Sequence, residues 1–178
     1  MIKERPIGFK GQMVAAILND SKSQMRRTRG FQHINVSPDD YEFMQLAEGS
    51  DGKLRAFFLE KSSNVEIWIN CPYGKPGDRL IIAALTSRIL LEITDIRVER
   101  LQDISEDDAQ AEGVGKLPPF MDEGGSRTAA EMLFRSGFRD IWESISGPDS
   151  WQANPWVWCI SFSRIEITAI QQATEGSP

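Results

Sequence analysis

A cluster of basic side chains interrupts an acidic sequence. The stretch SKSQMRRTR, residues 21–29, holds four cations, namely Lys22, Arg26, Arg27 and Arg29. Lysine and arginine bind anionic or carbonyl-rich ligands when they line a cleft. The simpler interpretation is a solvated face, or cations that are favoured near the C-terminus of a preceding helix. The residues alone leave both interpretations open.

The sequence has few residues that could form other kinds of catalytic site. There is one histidine, His33, and the two cysteines, Cys71 and Cys159, lie far apart. We therefore predict no metal site and no cofactor. A Ser–His–Asp triad would have to use His33, and the sequence has neither a Gly-x-Ser-x-Gly pattern nor a phosphate-binding glycine-rich loop. The acidic run at 106–108 is explained by charge complementation at a helix N-terminus.

Composition limits the partners. The 178 residues carry a net charge of −6 and suit one globular domain. Binding along a long nucleic acid neutralises many phosphates, which an acidic chain does poorly, but a locally basic cleft can still hold a nucleoside or a short single strand. Neither a signal peptide nor a bilayer-spanning run is visible. We expect a cytoplasmic protein with reduced thiols and no membrane partner.

Hydrophobic periodicity predicts about three helices and several short strands. The helices cover 11–20, 105–113 and 127–147. Strands are predicted for LRAFFLE and VEIWIN as a hairpin, for the residues after the turn at 71–78, for 87–101 with a bulge or turn at Asp95, and for 155–167. Residues 31–53 are polar and turn-rich. These elements predict an α+β fold, a small and mostly antiparallel β-barrel decorated by helices.

The last predicted strand is apolar on both faces. Val157, Cys159 and Ser161 alternate with Trp158, Ile160 and Phe162. Two-sided apolar character is typical of a central or barrel strand.

Four blocks of the chain together resemble the phage and prophage branch of the ASCH-domain family. They are RPIGFKGQMVAAILNDSKSQMRR, CPYGKPGDRL, SRILLEITDIRVERLQDISEDDAQAEGV and FRDIWESISGPDSWQANPWVWCISF. The resemblance implies a PUA-like β-barrel with a cleft for RNA or a nucleoside. It also implies one domain over 1–167, with variable inserts around 30–70 and 114–126, before a polar tail, 168–178, that we predict to be disordered.

The resemblance extends to a candidate site. A related bacterial member removes the acetyl group of N(4)-acetylcytidine with a lysine, a threonine three residues later and a distant glutamate. Lys22 matches the lysine, Glu112 the glutamate and Arg27 the family's arginine, whereas Met25 stands at the threonine position. A thioether cannot be deprotonated. The nearby hydroxyl is Ser23, which would share a face with Met25 on an extended strand.

Each candidate has a structural alternative. Lys22 would activate a nucleophile or bind a carbonyl if desolvation lowers its pKa, or else it is a surface lysine. Glu112 would act as an acid/base or bind a cytosine-like amino edge, or else it is an exposed carboxylate at a helix end. Arg27 binds phosphate or base, or anchors the motif through a buried ion pair. Arg26 and Arg29 are predicted at the rim of the cleft.

Aromatic residues supply candidates for base stacking. Tyr73 lies in the turn CPYG, which we expect to be exposed. Trp151, Trp156 and Trp158 are also candidates, although core packing is expected for at least two of them.

Three functions stay open. The first is a module that binds RNA or a modified nucleoside without robust catalysis, which the replacement by Met25 favours. The second is an amidohydrolase of the acetylcytidine type that uses Lys22 and Glu112, with Ser23 or water in place of the threonine. The third is a phage-derived module that binds a host or phage protein. Both ligand hypotheses require Lys22 and Glu112 to meet at a pocket.

Overall fold

Eight strands and three α-helices make up the residues that the computed structural model describes, 2–83, 88–115 and 127–165. The helices are α1 (Gly11–Leu18), α2 (Glu106–Ala111) and α3 (Arg127–Ser146). The strands are β1 (Glu4–Pro6), β2 (Gln24–Arg27), β3 (Tyr41–Glu48), β4 (Leu54–Glu60), β5 (Val65–Asn70), β6 (Arg79–Ala83), β7 (Arg88–Arg100) and β8 (Trp156–Ile165). Three short 3-10 turns complete the described elements, at Ile34–Val36, Pro38–Asp40 and Leu101–Asp103.

The strands form two sheets. The larger has the order β1-β6-β7-β8-β2 and is antiparallel except for the β1–β6 pair, and the smaller is the antiparallel meander β3-β4-β5. The predicted α+β class with mostly antiparallel strands and three helices is therefore confirmed. The barrel is not closed, because no ladder joins the two sheets within the described ranges. They pack on each other through side chains instead.

Strand β8 separates two apolar cores. Trp158, Ile160 and Phe162 point into the core shared by the two sheets. Val157 and Cys159 point into a second core, against α2 and α3. The predicted two-sided strand is confirmed, and both cysteines are free and buried.

Several local predictions are also confirmed. The hairpin is β4–β5, and β7 has a bulge between Ile93 and Asp95. Helix α2 begins after Ser105, whose Oγ accepts a hydrogen bond from the N–H of Asp108 at 3.0 Å. The acidic first turn of this helix is as predicted.

Three strands were not predicted, namely β1, β2 and β3. The polar stretch from 31 onward, predicted as loop, contains β3 over Tyr41–Glu48. Its bulge between Phe43 and Gln45 shifts the alternation of side chains in mid-strand, which hides the period of two. The expected insert at 30–70 thus contains the whole small sheet. The expected tail, 168–178, and most of the insert at 114–126 lie outside the described residues.

Within the described ranges, the longest helix is too polar to cross a bilayer, and the shorter helices do not reach the required length.

Candidate functional site

Strand β2 sends alternate side chains to the two cores. It pairs with β8, with Met25 opposite Ile160 and Arg26 opposite Cys159. Met25 is 1% exposed and lies in the core between the sheets. Because side chains alternate along a strand, Gln24 and Arg26 point the other way, toward the helices. The basic cluster thus runs into β2, the edge strand of the large sheet, and its Lys22 and Arg26 are buried rather than solvated.

The chain before β2 brings Lys22 to the end of α2. The N–H of Lys22 donates to the carbonyl of Ala16 at 3.0 Å, and the N–H of Ser23 donates to the carbonyl of Ala111 at 2.9 Å. The second bond ties the start of β2 to the last residue of α2. Glu112 follows directly, so it lies beside Lys22.

Lys22 and Glu112 form a buried ion pair. The Nζ atom donates to Oε2 of Glu112 at 2.7 Å and to its backbone carbonyl at 2.7 Å. The side chains are 1% and 6% exposed. Gly113 permits this closeness, since its φ is +86° and a Cβ there would stand 3.1 Å from Cβ of Lys22.

Arg26 lies at the centre of the same polar cluster, and its side chain is fully buried. One guanidinium nitrogen donates to Oε1 of Glu112 at 3.1 Å and to Oε1 of Gln24 at 2.7 Å. Nε of Arg26 donates to Oε1 of Glu99 at 3.1 Å. The second terminal nitrogen of the guanidinium donates to Oδ2 of Asp108 at 3.1 Å. The prediction of Arg26 as a rim charge is wrong, because its strand position faces the helices.

Each buried cation of this cluster has a carboxylate partner. Burying a charge is costly unless it is paired and hydrogen-bonded. Lys22 pairs with Glu112, and Arg26 pairs with Glu99, Asp108 and Glu112. Asp108 also accepts hydrogen bonds from the amide of Gln24 at 2.9 Å and from Arg97 at 2.9 Å. Arg97 is 42% exposed and also contacts Asp95 at 3.7 Å.

Burial and pairing shift the pKa values of several groups here, among them Lys22 and Asp108. Burial lowers the pKa of Lys22, and its contacts with Glu112 only partly oppose that effect. The pKa of Asp108 is also lowered. Burial acts against this shift, but the hydrogen bond from Gln24 and the charges of Arg26 and Arg97 outweigh it.

A cavity of about 160 Å³ opens beside the ion pair. One wall is polar and comes from the chain around β2 and from the residue after α2. The other wall is mostly apolar and comes from α3 and α1. The polar lining is Lys22, Arg26, Arg27, Thr28 and Glu112, with Ser146 from the end of α3. The apolar lining is Met13, Phe138, Ile141, Trp142 and Ile145.

Arg27 reaches this cavity from the half-buried end of β2. Its guanidinium donates to the carbonyl of Gly8 at 3.0 Å and stands 5.2 Å from the ring centre of Phe9. The buried ion pair considered for Arg27 is formed by Arg26 instead. Arg29 is exposed, as expected for a rim residue.

Met25 and Ser23 do not line the cavity with Lys22 and Glu112. Met25 points into the sheet core, so the position that matches the family's threonine faces away from the ion pair. Ser23 is exposed and borders a different cavity, of about 390 Å³, which Lys22 also lines and Glu112 does not. The two side chains have different surroundings, because Met25 is buried in the core whereas Ser23 is exposed.

The turn with Tyr73 is not exposed. Tyr73 is 8% exposed and packs in the core between the sheets, where burial raises its pKa to about 12. Because the ring is covered, it presents no face for stacking a base. Trp151 and Trp158 are buried in the two cores, as expected, and Trp156 is half-buried.

The sequence held a signal for the residues that were missed. Lys22, Gln24, Arg26 and Thr28 recur with a period of two, which is the pattern of one strand face. That pattern would have placed Arg26 with Lys22 rather than on the rim. The carboxylates of Glu99 and Asp108 have no such local signal, because their partners are distant in sequence.

In the described part of the chain, no three His, Cys, Asp or Glu side chains are arranged to hold a metal ion.

Comparison with known proteins finds a similarity of structure but none of sequence family. No family model matches the chain, and no curated protein matches it. Among solved structures, the fold is similar to that of the ASCH domain from Lactobacillus crispatus JV V101. The similarity covers 91% of this chain and 79% of that one, with 13% identity and a TM-score of 0.41. An identity of 13% transfers no residue roles, so the site rests on its own geometry.

Proposed function

We propose that the chain is an ASCH-type domain of phage or prophage origin that binds a modified nucleoside, or one base of a short RNA, in the cavity beside β2. The four sequence blocks support the family. The observation that carries the ligand is the Lys22–Glu112 pair, joined at 2.7 Å and lining a cavity with an apolar opposite wall.

The size of the cavity favours a single six-membered ring. A protein cavity of about 150 Å³ holds one benzene molecule, and this one measures about 160 Å³. Typical sites for larger ligands are about 300–1,000 Å³. A pyrimidine ring therefore fits, with its face against Phe138 or Trp142 and its edge toward the polar wall.

The ion pair offers a donor beside an acceptor. Its two contacts with Glu112 use two of the three N–H groups of Lys22. Each carboxylate oxygen of Glu112 takes one cation and has a second lone pair. A ring edge that carries a carbonyl or ring nitrogen next to an amino group matches this pattern.

The same contacts favour binding over robust catalysis. Each carboxylate oxygen of Glu112 already accepts a hydrogen bond from a cation, at 2.7 Å from Lys22 and 3.1 Å from Arg26, so the carboxylate is held in place as a fixed acceptor. Met25 faces the core, and Ser23 lines a cavity with Lys22 but not with Glu112, so neither places a nucleophile in the cavity that both members of the pair line.

Calorimetric titration of the full chain tests the binding proposal. Cytidine, N(4)-acetylcytidine, uridine and a short single-stranded RNA are titrated at low and physiological ionic strength. We expect saturable binding of at least one. Ile145→Arg should weaken it at least tenfold, because Ile145 lines the cavity and is 42% exposed, so arginine fills the mouth without unfolding the chain.

Leu18→Arg is the matched control, since Leu18 is 50% exposed and is not a lining residue of this cavity. It should bind like the unmodified chain. The proposal fails if nothing saturates at either ionic strength, or if Ile145→Arg binds normally. A stoichiometric protein partner on purification, without nucleoside affinity, would favour the third function.

A second candidate, the amidohydrolase, is favoured by the position of Lys22 and Glu112 on one wall of the same cavity. Water would add to the amide carbonyl carbon and lose a proton to Glu112, while an N–H of Lys22 binds the carbonyl oxygen. The C–N bond would then break, and Glu112 would return the proton to the leaving amine. Acetate and the free amine are the products.

Incubation with N(4)-acetylcytidine, followed by chromatography, tests this candidate. Cytidine above the level of a Lys22→Ala control supports hydrolysis. Equal levels in both samples remove it, and they leave the binding proposal intact if the titration succeeds.

A further inference from the structure

Strand β5 is the outer strand of the small sheet. One side pairs with β4, and no described strand pairs with the other. The N–H of Cys71 donates to the carbonyl of Leu54 at 2.8 Å, which shows which residue pairs of the β4–β5 ladder are hydrogen-bonded. Because hydrogen-bonded pairs alternate along an antiparallel ladder, the backbone groups of the odd-numbered residues point to β4. Those of Glu66, Trp68 and Asn70 point outward from the edge.

Of the usual features that prevent strand pairing, this edge has one charge, Glu66. Edge strands are commonly protected by lysine, proline or a bulge. VEIWIN contains none of these residues, and its register with β4 is unbroken. The opposite edge, β3, is interrupted by a bulge. Trp68 is 47% exposed and stacks on Phe57 with ring centres 4.6 Å apart.

We propose that β5 pairs antiparallel with β5 of a second copy of this chain, across a two-fold axis at Trp68. The pairing would join the two small sheets into one of six strands. Strand addition at an exposed edge is a common mode of recognition. Since the outward backbone groups lie at even positions, a centre on Trp68 lets each strand donate to and accept from its equivalent.

Charge and polarity select this register. With Trp68 opposite its equivalent, Glu66 lies opposite Asn70 of the other copy. Arg55 donates to Asn70 at 2.9 Å from the neighbouring strand, so the carboxylate faces an amide that is backed by a cation. A centre on Ile67 would instead set Glu66 against Trp68, without a polar partner.

The aromatic rings support the same axis. Phe57 and Trp68 are nearly parallel, with an interplanar angle of 13°. The two-fold would bring two such pairs together into a row of four rings on one sheet face. Six-residue strands bury less than the about 800 Å² per partner of a standard interface. We therefore expect a reversible dimer with micromolar affinity.

Sedimentation velocity over a range of concentrations tests the dimer. The full chain should pass from monomer to dimer as its concentration rises. Trp68→Lys should be monomeric throughout, because it sets two lysines opposite each other at the axis. Met44→Lys is the matched control, since Met44 is 49% exposed on the other edge strand, and it should dimerise normally.

Two outcomes overturn the proposal. One is a chain that stays monomeric at every concentration, which would leave the edge to a strand of another protein. The other is a dimer that persists in Trp68→Lys, or one that Met44→Lys also dissolves, since either places the interface elsewhere.

Disulfide trapping tests the register independently. Hydrogen-bonded antiparallel partners have Cα atoms about 5.5 Å apart, within the range that a disulfide spans. Trp68→Cys should therefore form a covalent dimer when a mild two-electron oxidant removes one hydrogen from each thiol. Glu66→Cys should not, because its equivalents lie about 14 Å apart in this register. Rapid trapping of Glu66→Cys, or none of Trp68→Cys, contradicts the proposed axis. The native Cys71 and Cys159 are buried and should not compete.

Discussion

At the scale of single residues, the polar cluster depends most on Glu112. Its carboxylate pairs with both Lys22 and Arg26, whereas Lys22 takes Glu112 as its carboxylate partner. Removing one partner of a buried pair leaves an uncompensated charge, which costs more than replacing a residue whose partner keeps another contact. The two positions of the ion pair are therefore unequal in energy.

We expect Glu112→Gln to lower the free energy of unfolding by about 3 kcal/mol, because the buried Lys22 loses its carboxylate partner, whereas Arg26 keeps Glu99 and Asp108. Lys22→Met should cost less than half as much, since the carboxylate keeps its 3.1 Å contact with Arg26. Urea unfolding followed by circular dichroism measures both values. The reverse order would contradict the shared role of Glu112.

Met25→Thr, which restores the family's threonine, should destabilise the chain and give no hydrolysis. It would remove core packing and bury a hydroxyl, at a combined cost of about 2–4 kcal/mol. Met25 is 1% exposed and faces away from Lys22. Met44→Thr, at an exposed site, is the control and should change stability by less than about 0.5 kcal/mol.

Urea unfolding measures the stability of both variants, and hydrolysis of N(4)-acetylcytidine measures their activity. A stable Met25→Thr variant that releases cytidine would show that the side chain reaches the ligand.

The candidate site was only partly predictable from its residues. The motif identified Lys22 and Glu112, which the structure brings together at 2.7 Å. It misjudged Arg26, because the sequence alone did not reveal that a four-residue strand begins at Gln24. Burial of a cation is decided by which face of the sheet its helices cover, and that depends on contacts distant in sequence.

At the scale of elements, helix α2 is held to the large sheet by Asp108. The carboxylate accepts hydrogen bonds from Gln24 and Arg26 on β2 and from Arg97 on β7. The turn after the helix is equally constrained, because Gly113 has a positive φ beside Lys22. The end of α2 therefore sets the position of Glu112 at the cavity.

The lowered pKa of Asp108 predicts a loss of stability in acid. Its ordinary value is 3.8, and in the folded chain the value is lower. The unfolded chain therefore binds more protons between the two values. The contribution is complete above pH 3.8 and disappears as the pH falls through the folded pKa.

We expect the difference in unfolding free energy between the unmodified chain and Asp108→Asn to shrink below pH 3.8. Urea unfolding at pH 7, 5, 4 and 3 measures it. Asp107→Asn, an exposed neighbour in the same helical turn, is the control and should show little change with pH. A constant difference for Asp108→Asn would contradict the assigned contacts.

Gly113→Ala should cost more than Gly147→Ala. Both glycines have a φ near +90°, at +86° and +98°, so both variants incur the backbone penalty of about 1 kcal/mol or more. Only at Gly113 does the new Cβ also meet side chains, with Lys22 at 3.1 Å and Ala16 at 3.3 Å. Urea unfolding gives both costs. Equal losses would mean that the turn relaxes away from Lys22.

The elements differ in how well they could be predicted. The β4–β5 hairpin is evident because its strands are mostly apolar, and the long β7 is evident because its apolar residues alternate with polar ones. Strand β2 is short and three of its four residues are polar, so it resembles a charged loop. The open arrangement of the two sheets depends on which distant strands pair, which no local pattern encodes.

At the scale of the whole molecule, β8 connects the two cores. Cys159 lies on this strand, in the core against the helices, and Cys71 lies in the core between the sheets. Burial raises the pKa of both thiols, that of Cys71 to about 11. The thiolate is the reactive form, so both cysteines should react slowly in the folded chain.

Labelling of the two cysteines should follow a single unfolding transition. If the chain is one cooperative domain, as the sequence predicts, both cores open together. Short pulses of iodoacetamide at increasing urea, with each site read by mass spectrometry, should give Cys71 and Cys159 the same midpoint. Circular dichroism on the same samples provides the reference transition. Labelling of Cys71 at a distinctly lower urea concentration than Cys159 would show that the small sheet opens by itself. The variable insert at 30–70 would then be a separate folding unit attached to the rest of the domain.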